Sequence, residues 1–182
     1  MKPTSFVRYG VLSTALLLSA CCFFGRHRSR TDALTHLNGS LSVAPAYDFV
    51  YAPAEAGRVS PNRIENTAMS SIILKKNIDV CVHDAVASNL KHAGIDTADS
   101  KRVLTARIEA FSVEDARSPA WWTLTMRYSL VDTDSKRVLY TSTKTVRQEF
   151  RTFTNNTFAL EDIVRANVST LLDDPEFAQA VH

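Results

Sequence analysis

Apolar and polar positions alternate most cleanly between Trp121 and Val131. Trp122, Leu124, Met126, Tyr128 and Leu130 share one side, and Thr123, Thr125, Arg127 and Ser129 take the other. Period-two alternation puts successive side chains on opposite faces of a strand. Val103 to Phe111 reads the same way, with Leu104, Ala106, Ile108 and Ala110 against Val103, Thr105, Arg107, Glu109 and Phe111. Val138 to Phe150 sets Val138, Tyr140, Val146 and Phe150 against Thr141, Thr143, Thr145 and Arg147. Asp132-Thr133-Asp134-Ser135-Lys136 is turn chemistry, so the last two segments are expected to form an antiparallel hairpin. One apolar and one wet face suit a sheet covered on one side.

Elsewhere the period lengthens. Ile78, Val82, Val86, Leu90 and Ala93 recur at helical spacing, and Gly94 stands where a C-terminal cap belongs. Leu160, Ile163, Val164, Val168, Leu171 and Leu172 form a second stripe. Asn156 or Thr157 is expected to cap it, with Glu161 and Asp162 in its first turn and Pro175 ending it. Phe177 and Val181 are expected to fold back onto the core. Leu41 to Ala44 is a candidate first strand before Pro45. Residues 45–61, with three prolines and a glycine, read as loop. Met69 to Leu74 is a second short strand or an extended lead into the helix. The pattern predicts an α+β fold: an antiparallel sheet of about four strands with two helices packed on one face.

The N-terminus does not belong to that pattern. Residues 1–20 carry Lys2 and Arg8, then an apolar run from Val11 to Leu18 broken only by Ser13 and Thr14. The run is too short to span a ~30 Å hydrocarbon core as a stable helix. It suits a signal peptide. Leu18-Ser19-Ala20-Cys21 resembles the bacterial lipobox. The resemblance implies cleavage after Ala20 and lipidation of Cys21, with two or three acyl chains, palmitate among them, holding the protein on a bilayer. The alternatives are an ordinary secretory peptide with a chance cysteine, or Cys22 as the lipidated residue. Cys22, rather than Asp, follows the expected lipid site, and the sorting rule of enteric-type bacteria then points to the outer membrane. The organisation expected is a cleaved signal peptide at 1–20, a lipidated tether at 21–40 and a periplasmic α+β domain at 41–182. Arg26, Arg28 and Arg30 make the tether basic, either as a solvated linker or as a weak contact with anionic headgroups.

Composition narrows the chemistry. Apolar residues make up 45% of the 182, enough for a packed core. A formal charge of +2, from 21 basic and 19 acidic side chains, gives no nucleic-acid footprint. The three cysteines form no CxxC pair. His83 and His92 lie nine residues apart on one helix and about 180° out of phase, so they do not share a metal. Cys81, inside the helical stripe, reads as a buried thiol, with a disulfide to Cys22 as the alternative. There is no GxSxG and no Gly-rich phosphate loop. No catalytic residue, metal or cofactor is therefore expected.

Helix residues Val80 to Ile95, the strand through Arg127-Tyr128-Ser129-Leu130, and the tail from Asp162 through Asp173-Asp174-Pro175-Glu176-Phe177 resemble the YajG-like family of uncharacterised bacterial lipoproteins. The likeness covers roughly residues 78–182 and lapses at 45–61. It implies a membrane-anchored envelope protein and carries over no catalytic residue. A comparable topology occurs in lipoproteins that assist ABC-type lipid transporters, a likeness of fold alone. Two roles follow as expectations. One is a non-enzymatic accessory module that docks an envelope protein. The other is a lipid-binding auxiliary of an ABC-type transport system, with an acyl chain between helices and sheet. An envelope hydrolase is the remote third. Trp121 is the most conspicuous local feature: with Trp122 inward, it is either an exposed anchor or covered by the loop at 112–119. With Thr123 and Thr125 it marks the candidate interaction surface.

Overall fold

Three strands of 13 residues each dominate the computed structural model: Arg102–Glu114, Ala120–Asp132 and Val138–Phe150. The structure describes residues 35–67, 71–98, 101–151 and 154–182. The expected signal peptide and Cys21 lie outside them. In chain order the strands are β1 (Ser42–Val43), β2 (Val50–Tyr51), β3 (Arg63–Asn66), β4 (Ile72–Ile73), and the long β5, β6 and β7. The helices are α1 (Ala52–Glu55), α2 (Ile78–His92), α3 (Asn156–Leu172) and α4 (Pro175–Val181), with a 3-10 turn at Ala46–Asp48.

Among the described residues the sheet is mixed and seven-stranded, ordered β4-β3-β5-β6-β7, with β1 and β2 also along β5. That corrects the expected four antiparallel strands and two helices. β1, β2 and β3 run parallel to β5, whereas β5, β6 and β7 form an antiparallel meander. The additional strands have two to four residues, too short for a period-two signal to register. Residues 45–61, expected as loop, hold the 3-10 turn, β2 and α1. Phe49 and Tyr51 from this segment are buried. Its prolines fit because Pro53 occupies the first turn of α1, where a missing N–H costs little.

Two bulges shift the expected faces. Ile108 pairs with Met126 and Ala110 with Thr125, leaving Glu109 extra. After it the odd residues turn inward, so Phe111 and Val113 join the core that Leu104, Ala106 and Ile108 began. In β7, Leu130 pairs with Tyr140 but Val131 with Val138. The shift expels Val138, which is 54% exposed, from the core face expected for it.

α3 packs on the inner face of β6 and β7 and against α2, and α4 closes onto β7. The expected stripes of α2 and α3 are buried, as are Phe177 and Val181. Each large aliphatic side chain so buried stabilises the fold by about 1.5–3 kcal/mol relative to exposure. Gly94 ends α2 at φ 87°. Its N–H donates to the Lys91 carbonyl at 3.0 Å and the Ile95 N–H to that of Leu90 at 3.1 Å, a Schellman motif. α3 begins earlier than expected: its cap is Asn155, whose side chain accepts from the Thr157 N–H at 2.9 Å. Glu161 and Asp162 consequently fall beyond the first turn.

Residues 35–40, assigned to the tether on composition, hydrogen-bond to the domain. Leu37 donates to the Ala93 carbonyl at 3.0 Å, and Ser40 to that of Val181 at 3.2 Å.

Candidate functional site

The outer sheet face is where the sequence-predicted surface residues meet. Trp122 points inward and packs against Phe111 and Phe150, with ring centroids 5.8 and 5.6 Å away. Alternation then sends Trp121 to the other side. The Arg147 guanidinium lies over the indole, 4.6 Å from the ring centroid, and is itself held by Glu114 at 3.0 Å. Trp121 thus keeps part of its surface exposed beneath a cation fixed from the neighbouring strand. Thr123 pairs with Arg147 and Thr125 with Thr145, whose hydroxyls lie 3.0 Å apart. Thr141, Thr143 and Thr145 are exposed.

Several charges on this face are paired. Arg107 binds Glu55 at 2.6 Å and Glu109 at 3.5 Å, and Arg127 binds Glu109 at 2.7 Å. Exposed pairs of this kind add little stability. Their consequence is a flat, near-neutral surface of threonines and paired charges with one aromatic plate in it. Such a surface can dock a protein while desolvating few unpaired charges.

A second feature is a groove of about 1150 Å³ along α2, between the residues after β4 and the start of α3. Leu74, Cys81, Ala85 and Leu160 supply its apolar lining, and Lys75 and Arg165 are among its polar residues. It lies between α2 and α3, with Ile73 of the edge strand β4 also in its lining. The seam between helices and sheet, where an acyl chain was expected, is filled by side chains such as Val164, Val168, Leu124 and Met126. Cys81 is a free, partly buried thiol at the groove wall, and burial raises its pKa. It is accordingly a poor nucleophile. Cys22 lies outside the described residues. His83 packs edge-on against Phe49 at 5.1 Å, whereas His92 lines the groove, its Nδ1 2.7 Å from the Ser88 carbonyl. Among the described residues no group of three or more His, Cys, Asp or Glu is placed to hold a metal.

The sequence reading missed Asn167, a polar residue buried in the core. The signal was present: 167 falls in the stripe formed by 160, 163, 164, 168 and 171. Its amide donates to the carbonyls of Leu124 at 3.3 Å and Lys144 at 3.0 Å, tying α3 to two strands. The sequence reading placed Tyr140 on the apolar face but missed that Tyr140, Lys144 and Asp174 meet where α4 starts. Asp174 Oδ2 accepts from Lys144 at 2.5 Å and Tyr140 at 2.8 Å. The bond from the Lys144 ammonium holds the Asp174 carboxyl at about 2.

No family model matches the chain, and no curated protein matches it in sequence. Solved structures resemble it in fold. Protein XCC0632 from Xanthomonas campestris, of the family DUF330, is 16% identical, with a TM-score of 0.51 over 78% of this chain and 83% of that one. The hypothetical protein CT253 from Chlamydia trachomatis is 11% identical, with a TM-score of 0.49 over 74% and 96%. Lipoprotein GNA1162 from Neisseria meningitidis is 13% identical, with a TM-score of 0.40 over 75% and 99%. Likeness to XCC0632 at this identity shows a shared fold and no more.

Proposed function

We propose that this chain is a lipid-anchored envelope lipoprotein of the YajG-like kind, processed at Cys21. In this reading its domain is a non-enzymatic accessory module on the periplasmic side, most simply of the outer membrane. It docks another envelope protein through the outer sheet face around Trp121, Thr123 and Thr125. The lipobox supports the anchoring. Among the described residues no helix is long and apolar enough to cross a membrane. The observation that carries the docking role is the arrangement at Trp121. A large aromatic plate, partly exposed and immobilised beneath Arg147, has the form of a preorganised contact residue.

The two halves separate experimentally. Metabolic acyl labelling should mark the wild type and fail for Cys21→Ser, which should also leave the membrane fraction. Labelling lost only in Cys22→Ser would move the anchor by one residue. For docking, a photo-crosslinking residue at Thr123 in cells should give one discrete adduct that Trp121→Ala abolishes. An adduct indifferent to Trp121 would remove the docking face from the reading.

A second reading, a lipid-binding auxiliary of an ABC-type envelope transport system, has the groove along α2 in its favour. Native mass spectrometry of the intact protein should then find a co-purifying lipid that Ala85→Trp displaces.

A further inference from the structure

Among the described residues β7 pairs with β6 alone, so no strand lies along its other edge. The strands added at the far side of the sheet have two to four residues. A long open edge presents a row of backbone N–H and C=O groups to another strand. β7 contains no proline, and its register shift lies at its beginning. One guarding device is present, the inward Lys144, but Asp174 and Tyr140 hold it, and it does not guard the strand beyond Thr145.

From these features we infer that β7 pairs antiparallel with β7 of a second copy of this chain, about a two-fold axis at Gln148. An axis normal to the sheet keeps each face on its own side, so the centre must fall on a residue. Of the centres from Lys144 to Glu149, those at Lys144, Arg147 and Glu149 oppose like charges directly. A centre at Thr145 sets Arg147 against Thr143 and Glu149 against Thr141. One at Val146 sets them against Thr145 and Thr143. A centre at Gln148 places Arg147 opposite the second copy's Glu149, twice over, and Val146 opposite Phe150. Glu149 is exposed and has no ion-pair partner among the described residues, whereas Arg147 is held on the same face by Glu114 and Trp121. Of the centres from Lys144 to Glu149, that at Gln148 alone sets opposite charges against each other, pairing residues 146–150 of the two copies, which favours a second copy over an arbitrary strand.

The inference does not rest on the docking role and is tested apart from it. The full chain is purified in detergent with Cys22 and Cys81 replaced by Ser and exposed to a mild oxidant. Gln148→Cys should give a disulfide-linked dimer on a non-reducing gel, because the two residues face each other across the axis. Thr141→Cys should stay at the background set by the chain that retains Gln148. Equal yields at both positions, none at either, or a higher yield for Thr145→Cys would overturn the pairing. Starting from Gln148→Cys, Glu149→Arg or Arg147→Glu alone should lower the dimer yield roughly fivefold or more, through the loss of two cross-strand ion pairs. The double swap should restore it. A swap that restores nothing overturns the register even if each single variant reduces the yield.

Discussion

The Tyr128 hydroxyl donates to Asn167 Oδ1 at 2.9 Å in the seam between α3 and the sheet, where both side chains are fully buried. Each satisfies a group that would otherwise be stranded in the core. Removing one partner therefore costs more than the bond is worth. Tyr128→Phe and Asn167→Leu are each expected to lower unfolding stability by about 1–3 kcal/mol. The double variant should lose less than the sum, because Phe beside Leu leaves no orphan of this bond, although the Leu124 and Lys144 carbonyls still lose a donor. Denaturant unfolding of the four proteins checks this, and strict additivity would refute the coupling. Burial also raises the Tyr128 phenol pKa, and holds that of Tyr51 at about 12. The unfolded phenols ionise near 10, so stability should fall as pH rises past about 10.

Asp174 sets the acid limb. Its folded carboxyl titrates at about 2, below the ordinary carboxylate value, because Lys144 bonds to it. A depressed folded pKa contributes stability above the unfolded value, which is lost as pH falls through the folded one. The loss should fall between about pH 4 and pH 2 and amount to roughly 1–2 kcal/mol after solvent screening. Asp174 also caps α4, accepting from the Glu176 N–H at 2.9 Å. Asp174→Asn can keep the cap but should flatten this part of the acid limb. Asp174→Ala should lose both, costing about 2 kcal/mol. Thermal melts across pH 2 to 7 distinguish the three proteins.

The hairpin, α2 and α3 were legible in the sequence because long periodic segments repeat their signal many times. Each of the missed features has a physical reason. β1 to β4 are too short to show a period, and parallel pairing with β5 leaves no hairpin turn to read. The bulges at Glu109 and Leu139 add one residue each, which inverts the phase for Phe111 and Val138 without changing the composition. The faces of Trp121 and Trp122 were legible from alternation. That Arg147 would cover Trp121 was not, since it depends on cross-strand register. Lys144 and Asp174 meet only because α4 folds back, a contact 30 positions apart in sequence.

Gly39 permits the junction between the start of the domain and its last helix. A Cβ placed there would lie 2.8 Å from Val181 Cγ2 and 2.9 Å from the Val181 carbonyl oxygen. Ser40 next door donates to that carbonyl at 3.2 Å. Gly39→Ala is therefore expected to push the end of α4 away and cost about 1–3 kcal/mol by overpacking. Adding Val181→Ala should relieve the side-chain clash only, since the contact with the carbonyl persists. Full recovery of the melting temperature in the double variant would count against the backbone contact.

Arg147→Ala should uncover Trp121 while leaving Trp122 unchanged in the core. The pair of interactions it removes, a guanidinium over a ring and an exposed ion pair with Glu114, contributes roughly 1 kcal/mol or less. Stability should accordingly change little. Fluorescence reports the local event: emission should shift to the red and acrylamide quenching should rise, as water reaches one indole. In Trp121→Phe the same substitution should leave both signals flat, since the remaining indole packs between Phe111 and Phe150. A red shift that persists in that background would mean that Arg147 orders the core beneath, and that Trp121 is not a plate held for contact.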